Sequence, residues 1–325
     1  MSTPRNRRLL FLAKIAFAVA VVVAVAFALV REWQPVTAAM HEARPRWGVL
    51  ALSGAIVLAN YALLVEAWRI VLAAWEGERR GPNAAPPLGF WESARIWSVS
   101  NLGRYIPGKV WQMGSMAVMA QERGVSGITA AGAAVVVTLI NTVAGFVVLA
   151  LTGAGVLHVP PLGIAVIALL GLGLLLAPQL IPWLGTVASR VIKRPIAIGR
   201  IPHRAIWLAA LISAASWVVY GVAFRVLAVG ALGSATGATG TYIAVFTASY
   251  LAGFLALIAP GGVGVREIVM FAGLRQSGFT GGQATLLVVA SRVWLTILEI
   301  VPAVLFLAHR WMRPRRSDGP IESTR

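Results

Sequence analysis

The 325-residue chain has no cysteine, which excludes disulfides, thiolate nucleophiles and cysteine-bound metals. Aspartate is nearly absent too, with Asp318 the single example. That scarcity argues against the Asp-x-Asp metal site of a nucleotide-sugar transferase, an Asp-rich diphosphate site and an aspartyl intramembrane protease. The four histidines, His41, His158, His203 and His309, show no metal-ligand spacing. There is no Walker loop, because Gly108-Lys109 lacks the upstream glycine and is followed by Val110. No cofactor is expected, and no credible catalytic constellation stands out.

Charge is the third scarcity. Only 12% of residues are charged and 58% are hydrophobic, whereas a soluble domain carries roughly twice that share of charge. The expected fold is therefore all-α, a polytopic integral membrane protein formed as a single membrane domain over residues 1–325. Apolar runs long enough to cross a bilayer as helices lie near 9–30, 47–74, 127–153, 160–181, 204–230 and 281–309. The first run is too long for a signal peptide and no small-residue cleavage site follows it, so it reads as a retained span.

The net charge of +17 is distributed by topology rather than along a nucleic-acid-binding face. Arg5, Arg7 and Arg8 precede the first run, and Arg79, Arg80, Arg95, Arg104, Lys109 and Arg123 separate the second from the third. Arg190, Lys193, Arg194, Arg200 and Arg204 follow the fourth, and a basic tail over 310–325 follows the last. All four clusters fall on one side of six spans, which predicts cytoplasmic N- and C-termini. The loop from Arg31 to Arg46 is the exception, its arginines partly balanced by Glu32 and Glu42.

A shift of about 155 residues brings two halves into register, repeat one near 9–153 and repeat two near 160–309. Arg69 then aligns with Arg225, and Pro107-Gly108-x-Val110 with Pro260-Gly261-x-Val263. Gly124-x-Ser126-Gly127 aligns with Gly278-x-Thr280-Gly281. Three crossings per half, an odd number, would make the repeats inverted, and inverted repeats place a transporter site between the halves.

Residues 88–123 and 241–278 are each too long for a simple loop and too interrupted for an ordinary span. Pro-Gly splits both, within NLGRYIPGKVWQ (101–112) and LIAPGGVGVRE (257–267). Irregular backbone at membrane depth needs protein or a watery cavity to satisfy it. Both segments are therefore expected to be re-entrant helical hairpins. Their half-helix N-termini, with Arg104, Lys109 and Arg266, would face an anionic group such as a lipid phosphate. Close helix packing by the glycines and snorkelling by the arginines is the structural alternative.

Charges inside spans need partners or water. Arg292 and Glu299, seven residues apart on one face of the last span, read either as lining a substrate path or as an ion pair that fixes packing. Glu66 and Arg69 read as a local ion pair, and Asn60 and Asn141 as interhelical hydrogen-bonding groups. Gly124-Val125-Ser126-Gly127 has the Gly-x-Ser-Gly form of an intramembrane serine hydrolase, a weak signal because its aligned partner has threonine.

The combination of Tyr105-Ile106-Pro107-Gly108-Lys109 with Pro260-Gly261-Gly262-x-Gly264-x-Arg266-Glu267 resembles the transmembrane region of lysylphosphatidylglycerol synthases, a flippase-like family, over nearly the whole chain. In that family the membrane region moves an aminoacylated phospholipid between leaflets and a separate soluble domain makes it, while other relatives accompany glycosyltransferases. The sequence contains no synthase domain, so the resemblance implies translocation of an anionic phospholipid, an aminoacyl-phospholipid or a lipid-linked envelope precursor. Its expected partners are membrane lipids and a separate lipid synthase or glycosyltransferase. A membrane scaffold for polysaccharide or glycolipid enzymes is the main rival. The expected substrate-binding set is Arg104, Tyr105, Pro107, Gly108, Lys109, Pro260, Gly261, Gly262, Gly264, Arg266, Glu267, Arg292 and Glu299.

Overall fold

The computed structural model describes residues 45–80, 88–105, 110–153, 173, 201–256, 262 and 264–312. The described residues form eight α-helices and no strand. They are α1 (Trp47–Arg80), α2 (Phe90–Asn101), α3 (Val110–Gln121), α4 (Gly127–Gly153), α5 (His203–Leu232), α6 (Thr239–Leu255), α7 (Val265–Gln276) and α8 (Gly281–Met312), with a 3₁₀ turn over Leu102–Tyr105. Four of the six expected spans are present as α1, α4, α5 and α8, each long and apolar enough to cross a bilayer. The run near 9–30 lies outside the described residues, as does that near 160–181 apart from Gly173.

Each interrupted segment folds as two short helices packed on each other, α2 with α3 and α6 with α7. The order long, short, short, long thus occurs twice, and each element of the second set begins roughly 150 residues after its counterpart. The turns before α4 and α8 are alike in detail. Gly124 and Gly278 both take positive φ, +74° and +91°. The next residue closes the preceding helix in both, Val125 N–H donating to Ala120 O at 3.1 Å and Phe279 N–H to Leu274 O at 3.2 Å. The hydroxyl residue then caps the following helix: Ser126 Oγ accepts from Thr129 N–H, and Thr280 Oγ1 from Gln283 N–H. The Gly-x-Ser/Thr-Gly signature is thereby accounted for as a stop-and-start turn between helices.

Between helices in lipid there is no hydrophobic gain to collect, so packing, hydrogen bonds and small residues hold the bundle together. The most extensive contact joins α1 to α5. Ser53 Oγ donates to Ala223 O at 2.9 Å across it, and Arg46 N–H donates to Gly230 O at 2.8 Å beside it. α4 docks by receiving indoles. Trp68 Nε1 donates to Ala130 O, Trp217 Nε1 donates to Asn141 O, and Trp75 lies against Gly132. Glu66 and Arg69 form the expected local ion pair, with two bonds of 2.8 Å. Asn60 departs from expectation. It is fully buried and its amide oxygen and nitrogen find no protein partner, so interhelical hydrogen bonding does not explain it.

The backbones of the second interrupted segment cross where Gly262, with φ +70°, meets Gly253. A Cβ on Gly262 would lie 2.7 Å from Gly253 Cα, so both strain and collision exclude a side chain. Gly124 differs, because a Cβ there meets nothing within 4 Å. Gly124→Ala should then carry only the left-handed backbone penalty, about 1 kcal/mol, and Gly262→Ala distinctly more. Thermal unfolding of the two variants in detergent checks the order, and equal melting would contradict the tight crossing.

Candidate functional site

All eight helices contribute to one cavity of about 290 Å³. Its size is near the lower end of small-molecule sites, roughly 300–1,000 Å³. Trp97 and Asn101 come from α2, Gln112, Met113 and Met116 from α3, and Thr138, Asn141 and Thr142 from α4. Leu64 and Trp217 reach it from α1 and α5, Tyr250 and Gly253 from α6, Gly262 and Arg266 from α7 and its approach, and Arg292, Thr296 and Glu299 from α8.

Arg266 dominates the electrostatics. It is 8% exposed, and its guanidinium lies over two aromatic faces, 4.9 Å from the Tyr250 centroid and 5.5 Å from that of Phe246. Cation–π contacts of this kind supply about 0.5–2 kcal/mol each, which offsets only part of the cost of burying a cation. Nη2 of Arg266 is buried without a hydrogen-bond partner. Such a group retains the capacity for one more hydrogen bond.

Three further charges surround it. Glu267 Oε1 stands 3.6 Å from Arg292 Nη1, so Arg292 reaches from α8 to the start of α7. Oε2 of the same carboxylate accepts the Gly264 N–H at 2.6 Å. That one donor at the start of α7 is therefore occupied by Glu267. Glu299 lines the cavity one further stretch along α8.

Of the expected site residues, the structure brings Gly262, Arg266, Arg292 and Glu299 to the cavity wall, with Gly264 and Glu267 beside them. Arg104 and Tyr105 close the 3₁₀ turn after α2. Pro107, Gly108, Lys109, Pro260 and Gly261 lie outside the described residues. Sequence reasoning missed Trp97, Asn101, Gln112, Thr138, Thr142, Trp217, Tyr250 and Thr296. Two signals were available for some of them. Asn101 and Gln112 bracket the first Pro-Gly motif, and the Gln112 amide donates to Asn101 Oδ1. Thr138, Asn141 and Thr142 recur at helical spacing in an otherwise apolar span. Among the described residues, no three histidines, aspartates or glutamates converge as a metal site.

Because Glu267 serves both Arg292 and the Gly264 N–H, Glu267→Ala should destabilise the protein more than Arg292→Ala. The expected difference is about 1 kcal/mol, the usual worth of a helix cap, and chemical denaturation in micelles measures it. Equal losses would mean that the ion pair alone matters.

The comparisons with known proteins give a single finding. The family model described as the Lysylphosphatidylglycerol synthase TM region matches residues 11–303. No match was found among curated proteins or solved structures. With nine-tenths of its length covered by that model, this chain belongs to the lysylphosphatidylglycerol synthase transmembrane-region family.

Proposed function

We propose that the chain translocates a phosphate-bearing lipid between the leaflets of a bacterial cytoplasmic membrane: an anionic phospholipid, an aminoacyl-phospholipid or a lipid-linked envelope precursor. The observation that carries this reading is the unmatched, buried Arg266 in a cavity lined by every described helix. A group of roughly that cavity's volume is a polar headgroup, while acyl chains remain in the surrounding lipid.

Inverted repeats supply the motion. The two sets of long, short, short and long helices are read as halves of opposite orientation, with α2–α3 and α6–α7 as re-entrant hairpins dipping from opposite faces. The doubled turn geometry at Gly124 and Gly278 supports a duplication. Rocking of one half against the other would expose Arg266 to each leaflet in turn. The arginine clusters favour cytoplasmic termini. Movement is driven by a gradient or by downhill flow, and the lipid comes from a separate synthase or glycosyltransferase. Catalysis by this chain is not part of the proposal, since Ser126, the one nucleophile in a recognisable motif, serves as a helix cap.

Reconstitution into liposomes with labelled anionic phospholipids and glycolipids tests the proposal. The protein should accelerate transbilayer movement of at least one class. Arg266→Gln should slow it roughly tenfold or more, equivalent to about 1.4 kcal/mol. Arg266→Lys should rescue only in part, because an ammonium neither stacks nor forks as guanidinium does. Rates equal to empty vesicles across the panel, or an undiminished Arg266→Gln rate, would sink it.

A further inference from the structure

Four charges converge at the cavity, and their balance limits what can enter it. Arg266, Arg292 and Glu299 line it, and Glu267 stands beside them on α7. Arg292, Glu267 and Glu299 all act electrostatically on the Arg266 guanidinium, as does the Tyr250 phenol from α6. The described lining side chains of α1, α2, α3, α4 and α5 are neutral, and the 3₁₀ turn packed against α8 carries Arg104 and Tyr105. Among the described lining groups, two guanidinium cations thus face two carboxylates. Their charges cancel.

A phosphodiester paired with Arg266 upsets this balance. It adds one negative charge and engages the cation on which the carboxylates draw, and an uncompensated charge at bilayer depth is costly. A metal cation or a proton would restore neutrality. A metal cation would stand against the Arg292 guanidinium, whereas a proton needs only a carboxylate able to give up its charge. Glu267 is poorly suited, because its Oε2 accepts the Gly264 N–H at 2.6 Å and its Oε1 faces Arg292 at 3.6 Å, and both contacts favour the ionised form. Glu299 stands in the middle of α8 on the cavity wall, far from either helix end. Engagement of Arg266 by a phosphate and the arrival of that second anion both favour its neutral acid. We infer that Glu299 takes up one proton from water with each phosphodiester anion bound at Arg266, so that lipid and proton cross as a neutral pair. This rests on the translocation reading given above and adds to it the coupling ion. The lipid anion is then drawn toward the less acidic side of the membrane, and no nucleotide is required.

The test is calorimetric titration of the full chain in detergent micelles with dihexanoylphosphatidylglycerol, whose phosphodiester keeps one negative charge throughout the neutral range. Run in buffers of different ionisation enthalpy, the titration counts the protons taken up per lipid bound. The count should approach one. Because the complex holds more protons than the free protein, affinity should fall as pH rises, by up to about tenfold per pH unit. Glu299→Gln, which is permanently neutral, should bind without proton uptake or pH dependence and should match the parent protein at the acidic end. Glu299→Asp should restore both. A purely structural ion pair forecasts the opposite, with Glu299→Gln binding more weakly at every pH. Proton-free binding by the parent protein, or uptake that persists in Glu299→Gln, overturns the inference. So does an affinity that follows sodium, exchanged for choline at constant ionic strength, in place of pH. Absence of binding, or binding undiminished in Arg266→Gln, overturns the translocation reading and this inference with it. Proton-free binding accompanied by movement in vesicles refutes the coupling alone, and proton-linked binding without movement refutes translocation alone.

Discussion

Arg266 is the constraint to which the rest of the described fold answers. A guanidinium buried to this degree needs its charge stabilised, and the chain stabilises it with the faces of Tyr250 and Phe246 and leaves one nitrogen unmatched. To hold the side chain there, α7 must approach α6 very closely. Gly253 and Gly262 allow the backbones to touch, and Arg266 Cβ itself lies against the position where a Gly253 side chain would be. The incomplete match is what connects the packing of the interrupted segment to the anion-binding role proposed for it.

Around that charge the bundle is organised by directional contacts. In lipid the apolar surface of one helix gains little by leaving its neighbours, so specificity passes to indole donors, small residues and side-chain-to-carbonyl bonds. Trp217 illustrates the economy of the arrangement. Its ring packs at Gly145, its N–H fixes α5 to Asn141 O, and the same residue forms part of the cavity wall. Glu267 has a similar double role, setting the start of α7 and holding Arg292 from α8. Structural and proposed recognition roles are thus shared by the same side chains.

How much of this could be read from sequence depends on the range of the interaction. Spans are set by run length against bilayer thickness, a local property, and α1, α4, α5 and α8 begin within a residue or two of the apolar runs that announced them. The breaks at Pro107-Gly108 and Pro260-Gly261 were also local, since proline and glycine act on their own backbone, and helices do end and restart on either side of them. The contact at 3.6 Å between Arg292 on α8 and Glu267 on α7 was not legible, because periodicity relates positions along one helix and says nothing across two. The aromatic faces around Arg266 were hidden for the same reason. In a chain this apolar, Tyr250 and Phe246 look like any other span residues until two helices are brought together. The Gly-x-Ser-Gly pattern was ambiguous in sequence, because a run of stop, spacer and cap coincides with a hydrolase motif, and the turn itself became visible only in the structure.

The absence of native cysteine makes alternating exposure of the cavity directly measurable. Thr296→Cys places a single thiol on the cavity wall beside Arg292 and Glu299. Its reaction with a charged, membrane-impermeant thiol reagent can be followed in vesicles sealed in each orientation. A translocator should be labelled from both faces of the membrane, at unequal rates and with protection by added phospholipid. A thiol that reacts from one face only, or from neither, and is indifferent to lipid would contradict a cavity that serves both leaflets.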